Sequence, residues 1–377
     1  MTKVSLFTHN FLDGYNQDYS RVYGGGLERY IYDLCLLIQE LGHQPVVHQL
    51  SYGEPFLARL DGIDVFGHVF EQTRIVDAFD RMAEMAEGVF IYTSCIWHPL
   101  RYRPGSLGIC HGINWDRPSI TYESKRDVAQ ALQGAMEGLR KLVSVDSHVV
   151  TYCRSVCMFG NPEQIELIPN AVDTRHFSPR RQQLTGTDVG EGELRILYPR
   201  RLSLERGLLP MMLVTDRLLE AYPHVTVEFA GELVEHSDVG QAFRLWHRHH
   251  PHRRRILHRT YDFKKVRNAY READIAVIPS TYSEGTSYSC LEAMSCGLPV
   301  VASNVGGLND LIIDGFNGLK TTPTPQPLLD ALIRLVEDAE LRRKLSRHAR
   351  QTALAFDKRV WDSRWRNVLA EFLGWRA

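Results

Sequence analysis

PSTYSEGTSYSCLEAMSCGLPVVASNVGG, residues 279–307, is the stretch around which the chain is organised. The apolar run Ile275–Ser280 leads into it and has strand length. Residues 283–287 have loop chemistry. Tyr288–Cys296 places Leu291 and Met294 at helical spacing, with Gly297 as the stop, and Pro299–Ser303 is strand-like again. Open parallel sheets built from such units bind ligands at the carboxyl ends of their strands. Glu284 falls in the loop at one strand end, and Glu292 on the helix that follows. The helix start offers bare N–H groups to an anion, and Glu292 is of the type that accepts hydrogen bonds from ribose hydroxyls. On spacing alone, two solvated glutamates beside a helix is an equal reading.

Working outward, the pattern repeats in both directions. Strand-like segments at 4–9, 45–50, 63–69, 89–94, 107–110, 142–145 and 165–168 alternate with helical patterns such as 73–87 and 122–140. A polar, glycine-bearing linker at 181–192 follows. Strands at 194–199, 225–230, 256–261 and 275–280 then alternate with helices at 208–222, 239–250 and 263–273. Closing helices are expected at 325–338, 339–356 and 359–375. Alternation of this kind predicts an α/β chain of two Rossmann-like, doubly wound parallel sheets. The expected domains are 1–180 and 193–356, with 357–377 a helix crossing back to the first domain. A length of 377 residues exceeds one comfortable core.

Several residues stand where such sheets carry chemistry. Gly24, Gly25 and Gly26 open a helix whose apolar face is Leu27, Tyr30, Ile31, Leu34, Ile38 and Leu41. Glycines there let backbone amides approach a phosphate, though no G-x-G-x-x-G fingerprint is present and a flexible hinge is the bland alternative. The loop before them carries Phe11, Tyr15, Tyr19 and Tyr23, ring faces suited to sugars. His111 directly follows a strand. Arg200 and Arg201 end the first strand of the second domain, with Arg206 before the next helix, a diphosphate clamp in principle.

Composition narrows the function classes. Apolar content is 44%, charged content 24% and net charge −1, which argues against general nucleic-acid binding. No apolar run reaches the roughly 18 residues of a membrane span, and the start of the chain reads as a strand, not a signal peptide. The seven cysteines lack metal-site spacing and predict buried, reduced thiols in a cytoplasmic protein. The segment Arg244–Arg259 carries six arginines, five histidines and no acid. It reads as a solvated helix end, or, with Trp246 beside it, as a peripheral contact with an inner membrane face.

Taken in order, these motifs resemble the family-4 retaining glycosyltransferases, which have the GT-B fold. The resemblance is carried by GGGLERYIYDL (24–34), His111, VSVDSHV (143–149) and IPNAVDTRHFSP (168–179). It continues through RRLSLERG (200–207), SEGTSYSCLEAMSCGLPVVAS (283–303), VGGLNDLI (305–312) and DGFNGL (314–319). The resemblance implies two domains facing a central cleft and a nucleotide-diphosphate sugar as donor. Arg201 and Arg206 would contact the diphosphate. Glu292 would hold the ribose, and Glu284 would face the transferred sugar. Gly285, Thr286, Ser287 and Tyr288 would present backbone amides to the donor. Gly25 and Gly26 would close over the phosphate, and His111 would lie near the sugar. No metal or other cofactor is expected. The acceptor would be a glycan, a lipid-linked sugar or a small molecule in polysaccharide or glycoconjugate biosynthesis. Arg200 departs from the family pattern, where glycine is usual, as an added cation that faces the phosphates or leans on a neighbour. Two other readings keep the fold: a nucleotide-sugar epimerase or hydrolase, and a non-catalytic carbohydrate- or nucleotide-binding protein.

Overall fold

The computed structural model describes residues 1–14, 16–113, 117, 119–180, 192–233, 237–261, 265–282 and 284–374. Tyr15, Ser283, most of the expected linker at 181–192 and the starts or ends of two expected helices (263–273 and 359–375) lie outside them. Two compact units are present. The first comprises Met1–Trp115, Ser119–Asn170 and Trp361–Ala377, and the second Asp116–Pro118 and Ala171–Val360. The second unit therefore begins ahead of the expected boundary at 180, and the chain returns to the first unit at Trp361.

The first unit holds strands β1 (Lys3–Thr8), β2 (Leu12–Asp13), β3 (Asp18–Val22), β4 (Gln44–Ser51), β5 (Phe56–Leu60), β6 (Ile63–Val69), β7 (Val89–Tyr92), β8 (Leu107–Cys110), β9 (Lys141–Ser144) and β10 (Ile165–Leu167). Eight of them form one sheet in the order β10-β9-β8-β7-β1-β4-β6-β5. All its pairings are parallel except that of the edge strand β5 with β6. The chain moves outward from β1 through β4 to β6, then returns beside β1 at β7. The carboxyl ends of β1 and β7 thus flank a topological switch point. The expected open loop at 10–23 is instead closed by the antiparallel pair β2–β3. Phe11 and Tyr23 are buried, and Tyr19 stacks on Phe56 with centroids 3.7 Å apart. These rings therefore serve packing, and the expected aromatic platform for an acceptor is not supported at Phe11 or Tyr23.

The second unit holds β11 (Leu194–Tyr198), β12 (Val225–Ala230), β13 (Ile256–Arg259), β14 (Ile275–Ile278), β15 (Val300–Ser303) and β16 (Leu319–Thr321). They form one wholly parallel sheet in the order β13-β12-β11-β14-β15-β16, with its switch point between β11 and β14. Its central strands are buried on both faces, as their unbroken apolar runs require. Helices cover both faces, and two hydrophobic clusters separated by the sheet form the core. All seven cysteines are buried free thiols. Among the described residues no helix is long and apolar enough to cross a membrane.

One tyrosine ties the first unit together. Helix Gly26–Glu40 carries Tyr30, fully buried, whose hydroxyl accepts a 2.7 Å hydrogen bond from Trp365 Nε1 on helix Lys358–Gly374. The Tyr30 ring also meets Trp361 edge-on at 5.1 Å and His111 edge-on at 4.8 Å. Trp365→Ala is expected to destabilise the first unit by about 3–5 kcal/mol through lost packing. Trp365→Phe should cost only about 1–2 kcal/mol, mainly from the lost hydrogen bond. Urea unfolding of the two variants followed by circular dichroism checks this order.

Candidate active site

The switch point of the second sheet is built from two loops, one after β11 and one after β14. Tyr198 ends β11 fully buried, and its hydroxyl donates towards the carbonyls of Arg201 at 3.2 Å and Arg206 at 3.0 Å. This curls residues 200–207 into a compact turn. Gly207 completes the turn at φ +79° and starts helix Leu208–Ala221. A Cβ at 207 would stand 1.8 Å from the Pro279 carbonyl oxygen, so the second loop approaches as closely as glycine permits. Thr281 N donates to Glu205 O at 3.0 Å and couples the loops directly.

A buried ion triad crosses the same point. Glu284 Oε2 accepts from Arg200 Nη2 at 2.6 Å, from Arg206 Nη1, and from Ser280 Oγ at 2.8 Å. The Arg200 and Glu284 side chains are 7% and 9% exposed, while that of Arg206 is 34% exposed and reaches solvent. Burial pushes the Glu284 carboxyl up, but the two guanidiniums outweigh it and hold it down at about 2. Arg200 Nη1 also donates to Ser287 Oγ at 2.9 Å, and Ser287 caps helix Tyr288–Ser295. The sequence left Arg200 between two roles, and the structure has it lean on neighbours. Nothing in local spacing announces a pairing across 84 positions.

The glycine pair at 306–307 has an equally physical reason. A Cβ on Gly306 would lie 2.1 Å from Glu284 O, and one on Gly307 would lie 2.5 Å from Thr286 N. Gly307 N donates to Glu284 O at 2.6 Å. The backbone from Glu284 to Thr286 is therefore pressed between the triad and this turn. Thr286 and Ser287 are buried, while Gly285 and Tyr288 are half-buried. Glu292, one and a half turns into the helix, is also buried, and its Oε2 accepts from Tyr270 OH at 2.8 Å. Glu292 is thus a held carboxylate, and Tyr270 is a partner that the sequence pattern did not reveal.

In the first unit, His111 follows β8 and rests on Tyr30. Its Nε2 is buried and has no hydrogen-bond partner among the described residues. Burial, then the neighbouring His9, push its pKa down to about 3, so the ring is neutral at physiological pH. Gly25 caps helix Gly26–Glu40, and a Cβ there would stand 2.1 Å from Glu28 Oε2. Glu28 is buried and takes Asn10 Nδ2 at 2.8 Å through Oε1. A side chain at position 25 would therefore have to displace the end of Glu28 at this helix start. Gly26 is exposed at the first helical position.

The Arg244–Arg259 stretch divides in two. Trp246 packs on Phe229 and Phe243 and donates to Asp216 Oδ1 at 2.8 Å. It is half-buried and packs against the core of the second unit. His250 is buried against the same carboxylate at 3.0 Å. Arg255 donates to the carbonyls of Tyr222 at 2.8 Å and Val225 at 3.2 Å.

The fold that carries this site is shared with known proteins. The sequence model for glycosyl transferases group 1 matches residues 180–352. A glycogen synthase from Mycobacterium tuberculosis is 30% identical over 390 residues, covering 89% of this chain and 88% of that protein. The chain belongs to the group 1 glycosyltransferases. A D-inositol 3-phosphate glycosyltransferase from Xylanimonas cellulosilytica is 27% identical over 70% of this chain and 68% of its own. Among solved structures, sucrose-phosphate synthase from Thermosynechococcus elongatus superposes with a TM-score of 0.77 at 17% identity, covering 99% of this chain and 100% of that one. Anabaena HepE in complex with UDP and glucose gives 0.72 at 17% identity, over 98% and 100%. These likenesses place the chain in the GT-B fold.

For this group 1 glycosyltransferase the triad makes a pH prediction. The Glu284 carboxyl sits below its ordinary 4.5 in the folded protein, so the pairing stabilises above that pH. It is lost as pH falls from 4.5 through about 2. Glu284→Gln is expected to cost about 3 kcal/mol or more at pH 7, because two guanidiniums lose their counter-charge. It should also flatten the acid limb of stability. Chemical unfolding of wild type and variant at pH 7 and pH 4 measures both effects.

Proposed function

We propose that the chain transfers a sugar from a nucleotide-diphosphate sugar to a hydroxyl acceptor with retention of anomeric configuration. The observation that carries this reading is the Arg200–Glu284–Arg206 triad, which holds one excess positive charge at the sheet's switch point beside a capped helix start. HepE, a structural neighbour, was crystallised with UDP-glucose, and this supports a nucleotide-sugar donor here.

In this reading Arg201 and the exposed edge of Arg206 take the negative charge that builds on the leaving diphosphate. The amides of Gly285, Thr286, Ser287 and Tyr288 add to that stabilisation, so that the arginines serve in place of a divalent metal. Gly25 and Gly26 offer backbone to the phosphates from the first unit's helix start. Glu292, oriented by Tyr270, takes the ribose hydroxyls. Glu284 positions the sugar. A carboxylate held at about 2 by two guanidiniums is a poor nucleophile, which disfavours a covalent glycosyl intermediate on it. The bond from anomeric carbon to phosphate oxygen breaks, the acceptor oxygen attacks from the same face, and its proton passes to the leaving phosphate oxygen. His111, neutral and with Nε2 unmatched, is a hydrogen-bonding group for the sugar and carries no charge into the reaction.

Nucleoside diphosphate release from UDP-, GDP- and ADP-sugars, measured with and without glycan, lipid-linked and small-molecule acceptors, tests the reaction. Acceptor-dependent release is expected. Release that never depends on an acceptor would sink the transferase reading in favour of an epimerase or hydrolase. Arg201→Ala should lower kcat by about 10²-fold, the loss of one preorganised donor to the leaving group. His111→Ala should lower kcat while leaving the pH profile near 6.5 unmoved, since His111 does not titrate there. An inflection that disappears with His111 would contradict its neutral role.

A further inference from the structure

The second sheet ends at β13, two strands from β11 and the triad. Along β13 and the preceding helix Asp238–His249 runs a cleft of about 670 Å³. Arg244, Arg248, Arg253 and Arg254 line it, four of the six arginines in the basic stretch. All four are exposed.

The walls are fixed, and three of the four cations, Arg248, Arg253 and Arg254, are not spent on the fold among the described residues. His247 stacks on Phe243 with parallel rings and its Nε2 lies 3.0 Å from the Ile256 carbonyl. His258 Nε2 lies 3.2 Å from the Gly231 carbonyl, and its ring meets Phe243 edge-on. Both histidines are thereby pinned. The run Arg253-Arg254-Arg255 divides its labour. Arg255 turns inward to cap backbone carbonyls, while Arg253 and Arg254 line the cleft. Arg259, further along the strand, is balanced by Glu228 at 3.7 Å and Glu272 at 3.9 Å. Arg248, Arg253 and Arg254 have no ion pair among the described residues. The three guanidiniums of Arg248, Arg253 and Arg254, gathered around one concavity, repel each other, a cost that a bound anion removes. Their planar forks match phosphate oxygens, and a cleft of this volume admits a ligand larger than a single phosphate.

We infer that this cleft is a second anion site, for the phosphate groups of a phosphorylated ligand, separate from the donor site proposed at β11 and β14. The shared chemistry is a phosphate ester with at least two negative charges, from a soluble phosphorylated metabolite or from a phospholipid headgroup.

Calorimetric titration with inorganic pyrophosphate, and co-sedimentation with phosphatidylcholine vesicles with and without phosphatidic acid, test the site and its source. The proteins compared are wild type, Arg248→Gln/Arg254→Gln, the same pair changed to Lys, and Arg201→Gln. The Gln pair should weaken binding at least about tenfold, the loss of one or more charge-assisted hydrogen bonds. The Lys pair should recover most of it, and Arg201→Gln should leave this site intact. Acceptor-dependent transfer should survive the Gln pair, so the donor reading and this one fail separately. Pyrophosphate binding without vesicle binding assigns a soluble ligand. Vesicle binding that requires phosphatidic acid and is lost in the Gln pair assigns a headgroup. Binding unchanged in the Gln pair, or no binding of either probe to wild type, overturns the inference.

Discussion

A carboxylate buried with two guanidiniums is stable only if its surroundings keep all three groups in register, and much of the second unit's switch point serves that requirement. Removing Glu284 would leave two guanidiniums without their counter-charge, one of them, Arg200, largely shut off from water. Arg200 and Arg206 come from the turn after β11 and Glu284 from the loop after β14, so the triad closes the gap between the two strands where the chain reverses its winding. The glycines follow from the same constraint. Gly207 lets the β14 loop reach the β11 turn, and the Gly306-Gly307 turn presses on the Glu284 backbone from the other side. Ser287 joins the triad to the helix start through Arg200. The electrostatic and the steric requirements thus converge on the few residues that the proposed reaction uses.

The first unit solves a different problem, that of keeping a histidine neutral and fixed at a strand end. His111 rests against the ring edge of Tyr30, and Tyr30 is anchored by Trp365 and Trp361 from the C-terminal helix. The segment after Trp361 is therefore part of the architecture behind His111. The same helix that carries Tyr30 begins at Gly25, beside the buried Glu28 carboxylate. Packing, not charge, sets His111: burial is the main reason that its protonated form is disfavoured.

Strand and helix periodicity made most of both sheets legible, the short edge strand β16 excepted, since strands buried on both faces read as short apolar runs and the helices between them as amphipathic ones. Three features were not legible, for distinct physical reasons. The edge strand β5 alternates between half-buried and exposed residues, and the β2–β3 pair is too short to have a period. The triad depends on partners about 80 residues apart, which no local pattern encodes. The histidine- and arginine-rich segment reads from composition as one basic surface. In three dimensions it separates into groups that bond to carbonyls and Asp216 and groups that line a cleft. The candidate site residues Glu284, Glu292, Arg201 and Arg206 stand out in the sequence by their places at strand ends and a helix start, and the roles proposed for them come from an ordered resemblance to a known family. What the resemblance did not contain was that Arg206 and Glu284 are each other's partners.

The triad and the capped helix beside it are proposed as the donor's diphosphate and ribose site. A crystal structure with a bound nucleoside diphosphate tests it most directly. The outer phosphate is expected within hydrogen-bond distance of Arg201 or Arg206, and a ribose hydroxyl on Glu292. A nucleotide bound elsewhere, with these three side chains untouched, would contradict it.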